Sequence, residues 1–307
     1  MTAPEPGRGG LRDIVMNAAL GGAIRIALMI PYRARVRAFG WLTSRVIAPL
    51  AGHPQRIRAN LAHAWPDLPE SEVRRLCRDV PDNIGRTMIE IYSGEAFSRH
   101  IAATVTPRGP GMAALDAAQQ AGRPVILVSG HFGNYDAVRV IVARRGYRIG
   151  GLYRPLNNPL FNAHYLRAME RIATPVFPRG RRGLAQMVKF LRAGNTIALL
   201  VDQYYNGTVL EFFGKPAPSA ISAAEMALKY DALLVPTYAI RQPDGLSFDV
   251  VVEEPVPPSD PVTMMQAVAD SLEARVRAHP GQWLWVHRRW KPELAGRDVR
   301  AETDAPC

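Results

Sequence analysis

The stretch from Pro124 to Asp136, PVILVSGHFGNYD, leaves a chain few ways to fold. Val125 to Val128 form a short apolar run rich in β-branched residues, which reads as a buried strand. Ser129 and Gly130 end the run. Ala137 to Arg145 then show helical spacing of apolar residues, closed by Gly146. Strand, tight loop and helix in that order put the loop at the carboxyl end of a sheet, where α/β proteins keep their sites. His131 lies in that loop and Asp136 in the first turn of the helix. A carboxylate there can turn back and accept a hydrogen bond from one imidazole nitrogen, leaving the other as a base facing the cleft. That is two-thirds of a Ser-His-Asp triad, with the missing hydroxyl to come from a substrate. The other reading is a structural loop histidine. Of the seven histidines only His131 has a carboxylate at this spacing, and Gly133 allows close backbone approach at the same corner.

The rest of the chain repeats the alternation. Strands are expected at 147–153, 175–177, 196–201, 233–240 and 247–252, and helices at 161–171, 184–192 and 264–278. The fold class is therefore α/β, a mostly parallel central sheet flanked by helices. His131, Arg154 and Asp202 each follow an apolar strand, so a parallel sheet places all three on one rim. Arg154 suits a phosphate or a polarised carbonyl, or else a salt bridge. Arg179, Arg181 and Arg182 open a helix, where they suit phosphate groups or form a solvated loop. Asp202 and Gln203 either hold sugar hydroxyls or buttress the loop. The tryptophans among cations from Trp283 to Trp290 suit a membrane belt, a cation–π cluster or core packing, and core packing is favoured for part of the segment, since alternate residues of a strand would face inward. The sequence contains no G-x-S-x-G elbow, Walker loop, H-E-x-x-H or Cys/His cluster, and the Gly109–Ala114 echo of a dinucleotide fingerprint has Pro110 inside it and no preceding strand.

With 307 residues, 48% of them hydrophobic, the chain can bury a full α/β core. Its net charge of +11 is concentrated near the start: residues 1–60 carry nine Arg against Glu5 and Asp13. Residues 14–30 are the most apolar run there, interrupted by Asn17 and Arg25, and too short and charged for a clean membrane span. After Pro31, Arg33, Arg35, Arg37 and Arg45 interleave with Phe39, Trp41, Val46 and Ile47 in a second helix. The pattern suits a helix in the interface of an anionic membrane better than a nucleic-acid groove; a basic solvated face over a core contact is the alternative. The organisation expected is a membrane-associating helical segment over 1–52, an α/β domain over 53–295 and a tail over 296–307. Cys77 and Cys307 show no pairing or metal spacing, which fits a reducing compartment.

The block HFGNYD resembles the HX4D/E block of glycerolipid and lysophospholipid acyltransferases. With F-G-N inside, it looks like the lipid A late acyltransferases, the lauroyl and myristoyl transferases of Gram-negative bacteria. Arg154-Pro155, Asp202-Gln203, Phe212-Phe213-Gly214 and the run from Gln282 to Trp290 stand in the order that family shows, so the similarity extends from the N-terminal apolar helix to about Pro292. The resemblance implies a glycerol-3-phosphate acyltransferase-like α/β fold, and acyl transfer from acyl-acyl carrier protein to a hydroxyl of a Kdo-bearing lipid A precursor. It places the reaction at the cytoplasmic face of the inner membrane, with neither metal nor cofactor and no nucleic-acid partner. His131 would be the general base and Asp136 its orienting partner. Gly133, Asn134, Arg154, Asn157, Arg181, Asp202 and Gln203 would bind substrate. Asp136 stands where lipid A enzymes often carry Glu, which also admits actinobacterial-type mannoside acyltransferases. Another glycolipid or a lysophospholipid is the alternative acceptor, and the same dyad with water as the attacking group would give a thioesterase or hydrolase. A non-catalytic basic protein binding anionic lipid is the reading from another class.

Overall fold

Alternate residues of the strand Val125–Ser129 enter different cores: Val125 and Leu127 pack into one cluster, Ile126 and Val128 into another. A strand apolar on both faces needs helices on both sides. The structure, a computed structural model, describes residues 10–291. Its strands are β1 (Val125–Ser129), β2 (Ile149–Tyr153), β3 (Val176–Pro178), β4 (Thr196–Leu200), β5 (Thr208–Phe212), β6 (Lys215–Ser219), β7 (Leu233–Arg241) and β8 (Phe248–Val252). The main sheet runs β3-β2-β4-β1-β7-β8, parallel except for β8, and β5 and β6 form a separate hairpin. The mostly parallel α/β sheet expected from the sequence is therefore present.

The helices are α1 (Leu11–Met29), α2 (Tyr32–Leu42), α3 (Ala48–Leu50), α4 (His53–Ala64), α5 (Glu70–Ser93), α6 (Glu95–Thr104), α7 (Gly111–Gln120), α8 (Tyr135–Arg144), α9 (Pro159–Glu170), α10 (Arg181–Arg192), α11 (Ser222–Lys229) and α12 (Pro261–Ala278). Ile89, Phe97, Leu115 and Val138, from α5 to α8, cover one face of the sheet. Met187, Ala224 and Met265, from α10 to α12, cover the other. A third cluster gathers Trp283, Trp285 and Trp290 with Phe132, Phe212 and Tyr238. The tryptophans are core, as expected, but their segment is a chain of turns rather than a strand: Trp285 N–H donates to Trp283 O and His287 N–H to Leu284 O.

A π-helical turn, Thr43–Ile47, joins α2 to α3. Helices α2 and α5 pack closely: a Cβ on Gly85 would sit 2.5 Å from the backbone Phe39 O, and one on Gly40 2.5 Å from the side-chain Oδ1 of Asp82. Arg35 is buried, donating to Ser93 Oγ at 3.0 Å and to two carbonyls at the end of α1, Leu28 O within it and Ile30 O just past it. That corrects its expected place on a basic outer face. The anticipated boundary at residue 52 falls between α3 and α4, but the chain on either side of it is in contact, Ser44 Oγ donating to Arg78 O at 2.8 Å. The expected tail over 296–307 lies outside the described residues. Among the described residues no helix is long and apolar enough to cross a membrane.

Candidate active site

Strand register builds the site. Ser129 of β1 lies beside Leu200 of β4, so the residues just past each strand end, Gly130-His131 and Val201-Asp202, emerge as neighbours. The two Asp202 oxygens then grip His131 twice: Oδ2 accepts its backbone N–H and Oδ1 meets Nδ1, both at 2.7 Å. The Trp283 indole N–H donates to Oδ2 at 2.9 Å. An ionised carboxylate only accepts, so the Nδ1 position carries the proton. Nε2 is left as the basic atom, 3.5 Å from the Gln203 side-chain nitrogen at the edge of the cleft. The His131 side chain is 22% exposed and Asp202 3% exposed, the arrangement of a reachable base on a buried anchor.

Asp136 does not hold His131. It sits at the second position of α8, turned inward, and its Oδ1 accepts from Arg139 at 2.6 Å. The expected dyad partner is thus corrected: a residue one helical turn along pairs with Asp136, and the strand neighbour Asp202 holds the imidazole. Gly133 and Asn134 are also inside rather than facing substrate. Gly133 adopts φ +56°, and a Cβ there would lie 1.8 Å from Ala239 O. Its carbonyl accepts from Asn83 Nδ2 and Thr87 Oγ1. Asn134 caps α8 through Asp136 N–H and donates to Glu90 at 2.7 Å. Glu90 in turn takes two hydrogen bonds from Arg241, each 2.7 Å. This buried network under the His131 loop carries no local sequence signal, since its members come from α5, α8 and β7.

The other expected residues divide. Gln203 is exposed beside His131. Arg154, past β2, and Arg181, opening α10, are exposed on the same rim, where Arg179 N–H donates to Tyr153 O at 2.7 Å. Asn157 is exposed, and its neighbour Asn158 caps α9 and reaches Asp13 O at 3.1 Å. His287 and Arg289 were missed as neighbours of the centre. His287 Nε2 accepts Tyr204 N–H at 3.0 Å, and burial lowers its pKa, so that ring stays neutral. Arg289 is buried against Pro218 O and Ser219 Oγ. With Asp202, Leu210, Met265 and Leu272 it walls a cavity of about 20 Å³ behind the dyad. A larger cleft of about 670 Å³ lies at the opposite ends of the strands, by Arg148, Ile149 and Pro175, away from His131.

Burial alone would raise the Asp202 pKa, but the charge of His131 and the donors from His131 and Trp283 outweigh it and hold the carboxyl down at about 2. The folded value lies below the free one of 3.8. The contribution to stability is therefore complete above about pH 4 and is lost as pH falls toward 2. Denaturant unfolding between pH 5 and 2.5 should show wild type losing about 2 kcal/mol that Asp202→Asn, whatever its absolute stability, does not lose over the same range.

Comparison with known proteins gives the chain a family. Residues 13–292 match the family of bacterial lipid A biosynthesis acyltransferases. The chain is 25% identical over 285 residues to the lipid A biosynthesis lauroyltransferase of Escherichia coli strain K12, covering 90% of this chain and 91% of that protein. It is 23% identical over 279 residues to the phosphatidylinositol mannoside acyltransferase of Mycobacterium tuberculosis strain H37Rv, covering 84% and 88%. A lipid A biosynthesis acyltransferase of Haemophilus influenzae is 20% identical over 277 residues, covering 88% and 86%. Nearly the whole described chain thus lies within one family match, and the chain belongs to the bacterial lipid A biosynthesis acyltransferase family.

Proposed function

We propose that this acyltransferase moves a fatty acyl chain from acyl-acyl carrier protein to a hydroxyl of a Kdo-bearing lipid A precursor, with His131, held by Asp202, as general base. The observation that carries this reading is the buried carboxylate on Nδ1, which leaves Nε2 as the open basic atom on the strand-end rim. The acceptor hydroxyl gives its proton to Nε2 as its oxygen attacks the thioester carbonyl. The new C–O bond forms, the tetrahedral oxyanion collapses, and the C–S bond breaks. The departing thiolate takes the proton from His131. Holding both substrates on one rim lets the enzyme dispense with a nucleophile of its own. Arg154 and Arg181 supply positive charge for the phosphates of the acceptor or the acidic carrier.

The mannoside acyltransferase among the similar proteins favours a second acceptor, a mannose hydroxyl of a glycolipid. A panel of acyl-acyl carrier protein with Kdo-lipid A precursor, phosphatidylinositol mannoside and lysophospholipid, read by mass spectrometry, separates these readings. The lipid A precursor should gain one acyl chain. Acylation of the mannoside alone would replace the first reading with the second, and free fatty acid alone would make the protein a hydrolase.

The same proposal places the N-terminal helices on the cytoplasmic face of the inner membrane. Leu11, Ile14, Ile26 and Met29 of α1 and Trp41, Ile47 and Leu50 beyond it are exposed, beside exposed Arg25, Arg33, Arg37 and Arg45. Apolar side chains flanked by guanidinium groups suit an anionic bilayer surface. Replacing Trp41, Ile47 and Leu50 by Ser should weaken co-sedimentation with phosphatidylglycerol vesicles by roughly tenfold or more, since each buried apolar side chain contributes on the order of 1–2 kcal/mol. Undiminished binding by that variant would move the contact elsewhere.

A further inference from the structure

The carboxylate of the sequence motif has an occupation of its own. Asp136 is 1% and Arg139 4% exposed, and one Arg139 nitrogen donates to Asp136 Oδ1 at 2.6 Å. The other terminal nitrogen crosses to Ala173 O at 2.7 Å, in the segment leading into β3. On the way the guanidinium lies against β2: a Cβ on Gly151 would stand 3.2 Å from its carbon, so that strand carries glycine where the arginine passes. Neither Asp136 oxygen is hydrogen-bonded to His131. Tyr135 and Tyr165 stand around the pair. Burial, together with the Asp136 charge, pushes both hydroxyls above their usual range, so both stay neutral.

Three parts of the rim meet at this arginine. Asp136 lies in the first turn of the helix that follows the His131 loop, Gly151 lies three residues before Arg154, and Ala173 precedes the strand that ends at Pro178, next to Arg179. Arg179 N–H in turn donates to Tyr153 O, which with the strand pairing ties β2 and β3 into one edge. We propose that Arg139, anchored by Asp136, is a positioning residue: a strap that fixes the basic edge carrying Arg154 and Arg179 relative to the His131 base, and thereby sets acceptor binding rather than the chemistry. The inference rests on the acyl-transfer reading for its kinetic consequence, but its structural content does not.

Removing either partner alone leaves a buried charge without its counter-ion and endangers the fold. The informative variant is the neutral pair Asp136→Leu with Arg139→Met. The pair Asp136→Asn with Arg139→Gln, whose shorter side chain no longer spans to Ala173, serves if the first does not fold. Steady-state kinetics should show kcat within about tenfold of wild type and acceptor KM raised about tenfold or more. Hydrogen exchange should show lost protection over 149–154 and 173–179 with 125–129 intact. A kcat as low as that of His131→Ala would mean that Asp136 orients the base after all and would overturn the strap. Wild-type KM with wild-type protection would overturn it by reducing the pair to packing. If wild type itself transfers no acyl group, the acyl-transfer reading fails, and the exchange pattern alone decides the strap.

Discussion

Asp202→Asn should lower kcat/KM for acyl transfer by ~10³–10⁴-fold while leaving the fold intact, because the substitution reverses the imidazole tautomer. Asp202 Oδ2 accepts from two fixed donors, the His131 backbone N–H and the Trp283 indole. An asparagine must keep its single oxygen there. Its amide nitrogen then stands where Oδ1 stood, facing His131 Nδ1 at about hydrogen-bond distance. Two donors cannot share that contact, so Nδ1 gives up its proton and Nε2 takes one. The atom that should accept the proton of the acceptor hydroxyl is already protonated. Circular dichroism should be close to wild type at neutral pH, and steady-state kinetics should show the loss in kcat rather than in KM. An effect below about tenfold would remove Asp202 from the catalytic pair.

The second large effect falls on stability. Glu90 is fully buried and neutralises Arg241, which is itself buried. Glu90→Ala should cost about 3–5 kcal/mol, because it leaves a guanidinium in the interior without a counter-ion. In a chain of this size that corresponds to a Tm lower by roughly 5–8 °C. The damage should reach the active site. Asn134 loses its acceptor on Glu90, and Arg241 no longer holds Asn83, which together with Thr87 carries the Gly133 carbonyl under the His131 loop. Replacing both charges, Glu90→Leu with Arg241→Met, should restore much of the stability. A Glu90→Ala protein as stable as wild type in denaturant titrations would show that Arg241 finds another counter-charge.

What the sequence shows of this architecture is what lies local to the chain. The apolar runs at Val125–Val128, Thr196–Val201 and Leu233–Ile240 all became strands, because strands buried on both faces need continuous β-branched and aliphatic residues. The positions of His131, Arg154 and Asp202 on one rim followed from those strands being parallel. Pairing within the rim was not legible. Asp136 is near His131 along the chain, but the start of a helix turned it toward Arg139. Asp202, 71 residues away, became the partner because β4 lies directly beside β1 in a strand order that spacing cannot reveal. The β5–β6 hairpin was hidden by Pro216 and Pro218, which argue against a strand unless it lies at an edge, as β6 does. In the tryptophan segment, alternation suggested a strand, yet successive turns can bury alternate residues equally well.

Single-turnover acyl transfer isolates the part that His131 plays. Purified wild type and His131→Ala, each in excess over acyl-acyl carrier protein and Kdo-lipid A precursor, would be quenched over time and the lipid weighed by mass spectrometry. Wild type should add one acyl chain, and His131→Ala none above the uncatalysed background, at equal folded concentration. Transfer by His131→Ala at the wild-type rate would contradict the assignment of His131 as base, since no base would then be needed at the atom that Asp202 holds open.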